Sequence, residues 1–306
     1  MNHDATVFDR AQLRRARARA ARLGDPGLAE AAEARLLDRL DDVRRSFSRA
    51  LALTPRRGSL PAALAGRGVG FVAEAALDVP RPGTVLADEE LLPFAPESFD
   101  LVLAPFCLHW TNDLPGALVQ IRRALVPDGL FLANLPGLGT LASLREALIA
   151  AELAATGGAS PRISPFADLR DGAGLLQRAG FALPVADLDR LTLAYADPWR
   201  LLAELRAAGE TNAVAARSRK FLRRGVLVEA IAALPRGADG RIGIAAELLT
   251  LTGWAPAATQ QRALRPGSGA ARLADALGAP EQPAGETAAP AGAACGRQAA
   301  GSTRVD

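Results

Sequence analysis

The chain is poor in the residues that carry most metal and redox chemistry. Its 306 residues include two cysteines, two histidines, one methionine and one tyrosine. Cys107 and Cys295 lie far apart and neither belongs to a C-x-x-C pair. A disulfide framework and a cysteine zinc site are therefore unsupported, and a reducing compartment fits best. His3 stands at the extreme N-terminus, so His109 is the one internal imidazole. An iron site of two histidines and a carboxylate cannot be built from this chain alone, and no metal is expected. Lysine occurs once, at Lys220, and the positive charge is otherwise arginine, with a formal net charge of only +3. That balance is too small to imply nucleic acid, and no aromatic ladder accompanies the arginines. No apolar run approaches the ~20 residues that cross a bilayer.

What is present is a large supply of aliphatic residues. Hydrophobic residues make up 49% of the chain while aromatics make up 5%, so alanine and leucine fill most core positions. The arginine-rich start, "VFDRAQLRRARARAARLG", reads as an amphipathic helix belonging to the fold; a transit peptide and an RNA-binding arm are the alternatives. Residues 27–47 carry Leu28, Leu36, Leu37, Leu40 and Val43 at helical spacing. Short apolar runs follow at "ALAL", "VGFVAEA", "TVLAD" and "FDLVLAP", then a helix in "LPGALVQIRRAL" and a strand in "GLFLANLPG". Strands apolar throughout and alternating with helices predict a parallel sheet covered on both faces. Further helices are expected in "TLASLREALIAAELAATGG", "PWRLLAELRAAG" and "FLRRGVLVEAIAAL", and "GLLQRAGFALPVADLDRLTLAY" reads as helix, then strands. The final strand is "IAAELLTLTGWAP". The division expected is an N-terminal helical segment, 1–48, a main domain, 49–278, with a helical insertion at about 140–235, and a disordered Ala/Pro/Gly-rich tail, 279–306.

The succession "ADEELLPF…SFDLVL…LHWTNDLPGALVQIRRALVPDGLFL" is similar to class I S-adenosylmethionine-dependent methyltransferases. More narrowly, "VFDRAQLRRARARAA", "VLADEELLPF", "TLASLREAL", "SPRISPF", "GLLQRAGF", "LRAAGETNA" and "LTGWAP" resemble, in order and spacing, the family of NADH dehydrogenase (complex I) 1 alpha subcomplex assembly factor 5. The malonyl-carrier-protein methyltransferase of biotin synthesis is a more distant relative. The resemblance implies a Rossmann-like, mostly parallel seven-stranded sheet with helices on both faces and the last strand antiparallel. It also implies a part in complex I assembly, a protein substrate among the complex I subunits, and, from the eukaryotic member, hydroxylation of an arginine. The location implied is cytoplasmic for a bacterial chain and the mitochondrial matrix side for a eukaryotic one, with peripheral membrane association left open.

Methyltransferases of this class carry an acidic-x-Gly-x-Gly-x-Gly loop after the first strand, where glycines let the backbone approach the donor. Here the stretch reads "LALTPRRGSLPAAL": Gly58 is the one glycine, Thr54 stands where the acid belongs, and Arg56 and Arg57 add bulk and charge. Other donor positions are better kept. Glu74 falls where a carboxylate grips ribose hydroxyls, and Asp88 and Glu89 fall where an acid meets the adenine amino group. For each, a solvated carboxylate at a strand end is the competing reading. Phe106 and His109 follow the fourth strand, beside the crevice where ligands of open α/β sheets bind. His109 is a candidate acid/base or substrate-orienting group, or else a packing residue that fixes the loop with Trp110 over the core. Asn112 and Asp113 are expected to cap the following helix, and Cys107 to be a small buried residue. Three functions stay open: a methyltransferase with a degenerate donor loop, a protein-arginine hydroxylase, and a non-catalytic assembly chaperone.

Overall fold

The computed structural model describes residues 6–23, 27–54, 59–78, 83–166 and 168–260, and short stretches at 268–269, 272–278 and 280. They belong to two units, Met1–Gln260 and Gln261–Asp306. In the second, Leu273–Leu277 is a single helical turn and a half, closed by Gly278 at φ +61°. The expected disordered tail, 279–306, lies outside the described residues except for Pro280.

The first unit runs α1 (Arg10–Ala20), α2 (Leu28–Asp41), β1 (Arg49–Leu53), α3 (Ser59–Ala65), β2 (Phe71–Ala76), β3 (Thr84–Leu86), β4 (Phe99–Pro105), α4 (Leu114–Ala124), β5 (Leu125–Pro136), α5 (Ala142–Thr156), α6 (Leu169–Arg178), β6 (Ala182–Tyr195), α7 (Pro198–Ala207), α8 (Arg224–Ala232) and β7 (Ile242–Trp254). The strands form one seven-stranded sheet in the order β3-β2-β1-β4-β5-β7-β6. β1 to β5 are parallel, and β7 runs antiparallel to both β5 and β6. Strand order reverses between β1 and β4, which is the crevice where such sheets take ligands.

Burial on both faces explains the unbroken apolar strands. Leu51, Leu53, Val102, Phe131 and Ala133 pack with Leu118, Ile121 and Leu176 of α4 and α6. Their neighbours Ala50, Ala52, Leu101, Leu103, Leu130 and Leu132 pack with Leu36, Leu40, Leu60 and Leu64 of α2 and α3. A third cluster joins Leu144 and Leu148 of α5, Leu201 of α7, and Val226 and Ala230 of α8 to Tyr195, Ile242 and Ile244. The stretch 140–235 thus holds the edge strand β6 as well as helices.

Three local expectations shift. α2 stops at Asp41, and Phe47 turns instead into the core beneath α2 and α3. α8 begins at Arg224, so Phe221 and Leu222 precede it. Trp110 is buried, but in a separate cluster with Phe8, Leu13, Leu77, Ala213 and Val214, where it anchors α1.

Candidate functional site

Two groups of side chains meet beyond the carboxyl ends of β3 and β4. The first joins α1 to the acidic stretch after β3. Arg17, 2% exposed, donates to Glu89 Oε1 at 2.7 Å, and its second nitrogen lies 3.4 Å from the Cys107 carbonyl. Arg10 bonds both Asp88 Oδ1, at 2.5 Å, and Glu89 Oε2, and also reaches the Trp110 carbonyl at 3.1 Å. Burial opposes the Glu89 carboxylate, yet the Arg17 and Arg10 charges hold its pKa below the ordinary value. Glu89 is therefore neither a solvated carboxylate nor an open ligand contact. It is one half of a buried ion pair that closes α1 onto the sheet. Asp88 keeps 28% of its side chain accessible beside Arg10.

The second group surrounds the histidine. β4 ends at Pro105, and Phe106 follows at φ +47°, a conformation unfavourable for a large L residue. It is held there because its N–H meets both the carbonyl and the Oδ1 of Asn134, each at 3.1 Å, while Asn134 Nδ2 donates to Ala32 of α2 at 2.7 Å. The chain then makes a 3-10 turn, Leu108–Trp110, which buries His109. His109 Nε2 lies 2.8 Å from Glu210 Oε2, and Trp110 Nε1 donates to that same oxygen at 2.9 Å. Burial works against the Glu210 carboxylate, but the His109 partnership, Arg17 and the Trp110 bond together hold its pKa low. An ionised carboxylate only accepts, so Nε2 of His109 carries the proton in this contact. His109 Nδ1 is buried with no hydrogen-bond partner among the described residues. Both donors converge on Oε2, and no donor among the described residues reaches Glu210 Oε1.

Glu210 opens on a cavity of about 260 Å³. Its walls are largely aliphatic, with Leu141, Leu144, Leu148, Leu201, Leu205 and Leu248 among them, together with Phe106 and Trp110. The charged residues of the lining are the cations Arg35, Arg162 and Arg206 and the acids Glu204, Glu210 and Glu247. Tyr195 donates to Glu204 at 2.6 Å, both on the wall, and burial followed by that carboxylate pushes the Tyr195 hydroxyl pKa upward. Thr211 Oγ1, also on the wall, is buried without a partner.

The expected site residues therefore divide. Phe106 lines the cavity, and His109 touches it through Glu210. Asp88 and Glu89 belong to the α1 contact. Glu74 is 8% exposed near the end of β2, in register with Ala52 and Thr84. Gly58, Arg56 and Arg57 lie outside the described residues. Asp113 caps α4 through Gly116 N at 2.8 Å, whereas Asn112 instead bonds both the N–H and the carbonyl of Phe8. Cys107 is fully buried. Among the described residues, no group of three or more His, Cys, Asp or Glu is arranged to hold a metal.

Sequence reasoning passed over two acids. Glu210 follows Gly209, which ends α7 at φ +79° and packs on Arg17, so its segment read as a helix stop. Glu33 of α2 is 5% exposed and accepts from Thr54 Oγ1 at 3.4 Å and Ser59 Oγ at 2.5 Å, bridging the two sides of the altered loop. Of the acids expected to meet a donor nucleoside, Glu74 is buried and Asp88 is partly accessible but paired with Arg10.

The methyltransferase-domain family matches residues 68–133. The curated protein named arginine-hydroxylase NDUFAF5, mitochondrial, of Danio rerio is 35% identical over 88% of this chain and 89% of its own length. The Homo sapiens protein of that name is 36% identical over 86% and 81%. The malonyl-[acyl-carrier protein] O-methyltransferase of Xylella fastidiosa is 37% identical over 56% of this chain and 57% of its own. Among solved structures, the YcgJ protein of Bacillus subtilis aligns with a TM-score of 0.49 at 14% identity, over 74% of this chain and 98% of that one. With more than a third of positions shared over most of both chains, the chain belongs to the NDUFAF5 family.

Proposed function

We propose that the chain binds an arginine side chain of a protein substrate in the cavity beside Glu210 and acts on it during respiratory complex I assembly. The observation that carries this reading is a buried carboxylate on the cavity wall with one oxygen held by both His109 and Trp110. A guanidinium satisfies such a carboxylate better than any neutral group, because burial amplifies the charge-assisted bond. The leucines of the wall suit the methylene stem. Glu204 offers a second acidic contact. His109 fixes the orientation of Glu210 and does not itself line the cavity.

The donor site in this reading uses Glu74 and Asp88. Bound there, S-adenosylmethionine would supply an electrophilic methyl group on its sulfonium. The lost glycines after β1 and the Arg10 cation both oppose a tight complex, so weak binding is proposed. Hydroxylation is the activity carried in the relatives' name, and it needs an oxidant beyond the groups described.

The test is calorimetric titration of the full chain with a peptide carrying one arginine, beside the same peptide carrying citrulline, its neutral isostere. The arginine peptide should bind and the citrulline peptide should not. Equal binding of both would remove Glu210 from substrate recognition. A scaffold reading is favoured by one observation, the closure of Arg10 and Arg17 on Asp88 and Glu89. It predicts that S-adenosylmethionine does not bind even when saturating.

A further inference from the structure

The second half of the loop between α7 and α8, from Ser218 on, has no part in the cavity, yet its composition is unusual for this chain. In "SRKFLRRG", Ser218 to Gly225, Phe221 is 100% exposed. Arg219, Lys220, Arg223 and Arg224 flank it, all exposed. The loop has a fixed side and a free side. Leu222 packs against the cluster of α5, α7 and α8, and Lys220 N donates to Ser218 Oγ at 3.2 Å. Holding Leu222 inward leaves its neighbour Phe221 outward. Arg217, one step earlier, is paired with Asp9 at 2.9 Å. Among the described residues no carboxylate forms an ion pair with Arg219, Lys220, Arg223 or Arg224.

A fully exposed phenylalanine is unfavourable in water, and scattered surface leucines do not explain one ringed by unpaired cations. We propose that this loop is an interfacial anchor that seats the protein on an anionic lipid bilayer. A bilayer surface offers anionic headgroups around an apolar interior at one depth, which is the order of charges and aromatic along the loop. Phe221 lines neither the cavity described above nor the one at Thr6, Asp9 and Arg219, although Arg219 of the same loop borders the second. No helix of the described residues is long and apolar enough to cross a membrane, so the contact is one of resting on the surface. One aromatic and four cations give reversible attachment that weakens with salt.

The experiment is co-sedimentation of the full chain with phosphatidylcholine vesicles, with and without phosphatidylglycerol, at low and high salt. Binding should require phosphatidylglycerol and fall with salt. Phe221→Ala should weaken it several-fold, and Lys220→Glu with Arg223→Glu should weaken it by roughly tenfold or more, since each surface cation contributes about fivefold. These positions are exposed, so Tm should not move, which separates loss of the anchor from loss of the fold. Three results would overturn the proposal: equal binding to neutral vesicles, equal binding by the variants, or no vesicle binding beside loop-dependent retention on polyglutamate. The last would identify an acidic protein partner instead.

Discussion

Arg17 of α1 and Glu89 after β3 form an ion pair at 2.7 Å with both side chains at most 5% exposed. It brings the N-terminal helix α1 onto the carboxyl end of the edge strand β3.

Breaking that pair from one side should be costly. Glu89→Gln leaves Arg17 buried without its charged partner, with an expected loss of about 3–5 kcal/mol in denaturant unfolding, whereas Arg17→Ala leaves Glu89 the Arg10 contact and should cost less. Replacing both, as Arg17→Met with Glu89→Leu, should recover part of the loss, because the buried Arg17 charge is gone and Arg10 keeps Asp88 as its partner. Glu89 also sets a pH dependence. Burial opposes its charge, but Arg17 and Arg10 prevail, so its folded pKa lies below the ordinary 4.5. Its contribution is full above that ordinary value and is lost as pH falls through the folded one. Acid unfolding of Glu89→Gln should accordingly be less steep than that of the parent chain. Equal slopes would show that other carboxylates govern acid stability.

The sheet was largely legible because each central strand is buried on both faces and so leaves a continuous apolar run. The sites were less so. Asp88 and Glu89 show in sequence only as acids after a strand; their arginine partners lie about 70 to 80 residues earlier, on a helix whose cations looked solvated. Glu210 reads as the residue after a helix-ending glycine, and nothing local announces that it meets His109 across 101 residues. Phe221 was placed inside a helix because apolar spacing continued through it. The structure starts α8 three residues later, and that shift leaves the ring in water.

The donor complex should be weak, with a dissociation constant of ~0.1 mM or worse for S-adenosylmethionine, worth roughly 5 kcal/mol. Two causes can be separated by calorimetry. If Arg10 competes for Asp88 and repels the sulfonium, Arg10→Ala should tighten binding several-fold. If the lost glycines alone are responsible, Arg10→Ala should leave it unchanged. A low-micromolar constant for the parent chain would show that "TPRRGS" does the work of a glycine loop.

Cys107 should be inert in the native chain. Burial foremost, and then the Glu89 carboxylate, push its thiol pKa well above the ordinary 9.0. The thiolate is the reactive form. In a Cys295→Ser background, a disulfide reagent at mildly alkaline pH should label nothing until denaturant is added, and then one thiol. Rapid labelling of the folded chain would mean that the strand end under Arg17 opens readily.

The variant that best separates packing from chemistry in "LHW" is Glu210→Gln. Trp110→Ala removes a large buried ring and should cost ~3–5 kcal/mol. His109→Ala opens a smaller space and takes one of two donors from Glu210, so it too should lower abundance. Neither isolates a functional role. In Glu210→Gln the geometry is kinder, because His109 and Trp110 both donate to the single oxygen Oε2. A glutamine carbonyl can accept both bonds, with the amide nitrogen taking the place of Oε1. The fold should survive with a small change in Tm, and the negative charge needed to hold a guanidinium is lost. In cells lacking the protein, complementation should then show Glu210→Gln abundant but failing to restore complex I activity, while Trp110→Ala fails because the protein is scarce. If Glu210→Gln restores activity, the carboxylate is a clamp for the histidine turn, and the cavity beside it does not select arginine.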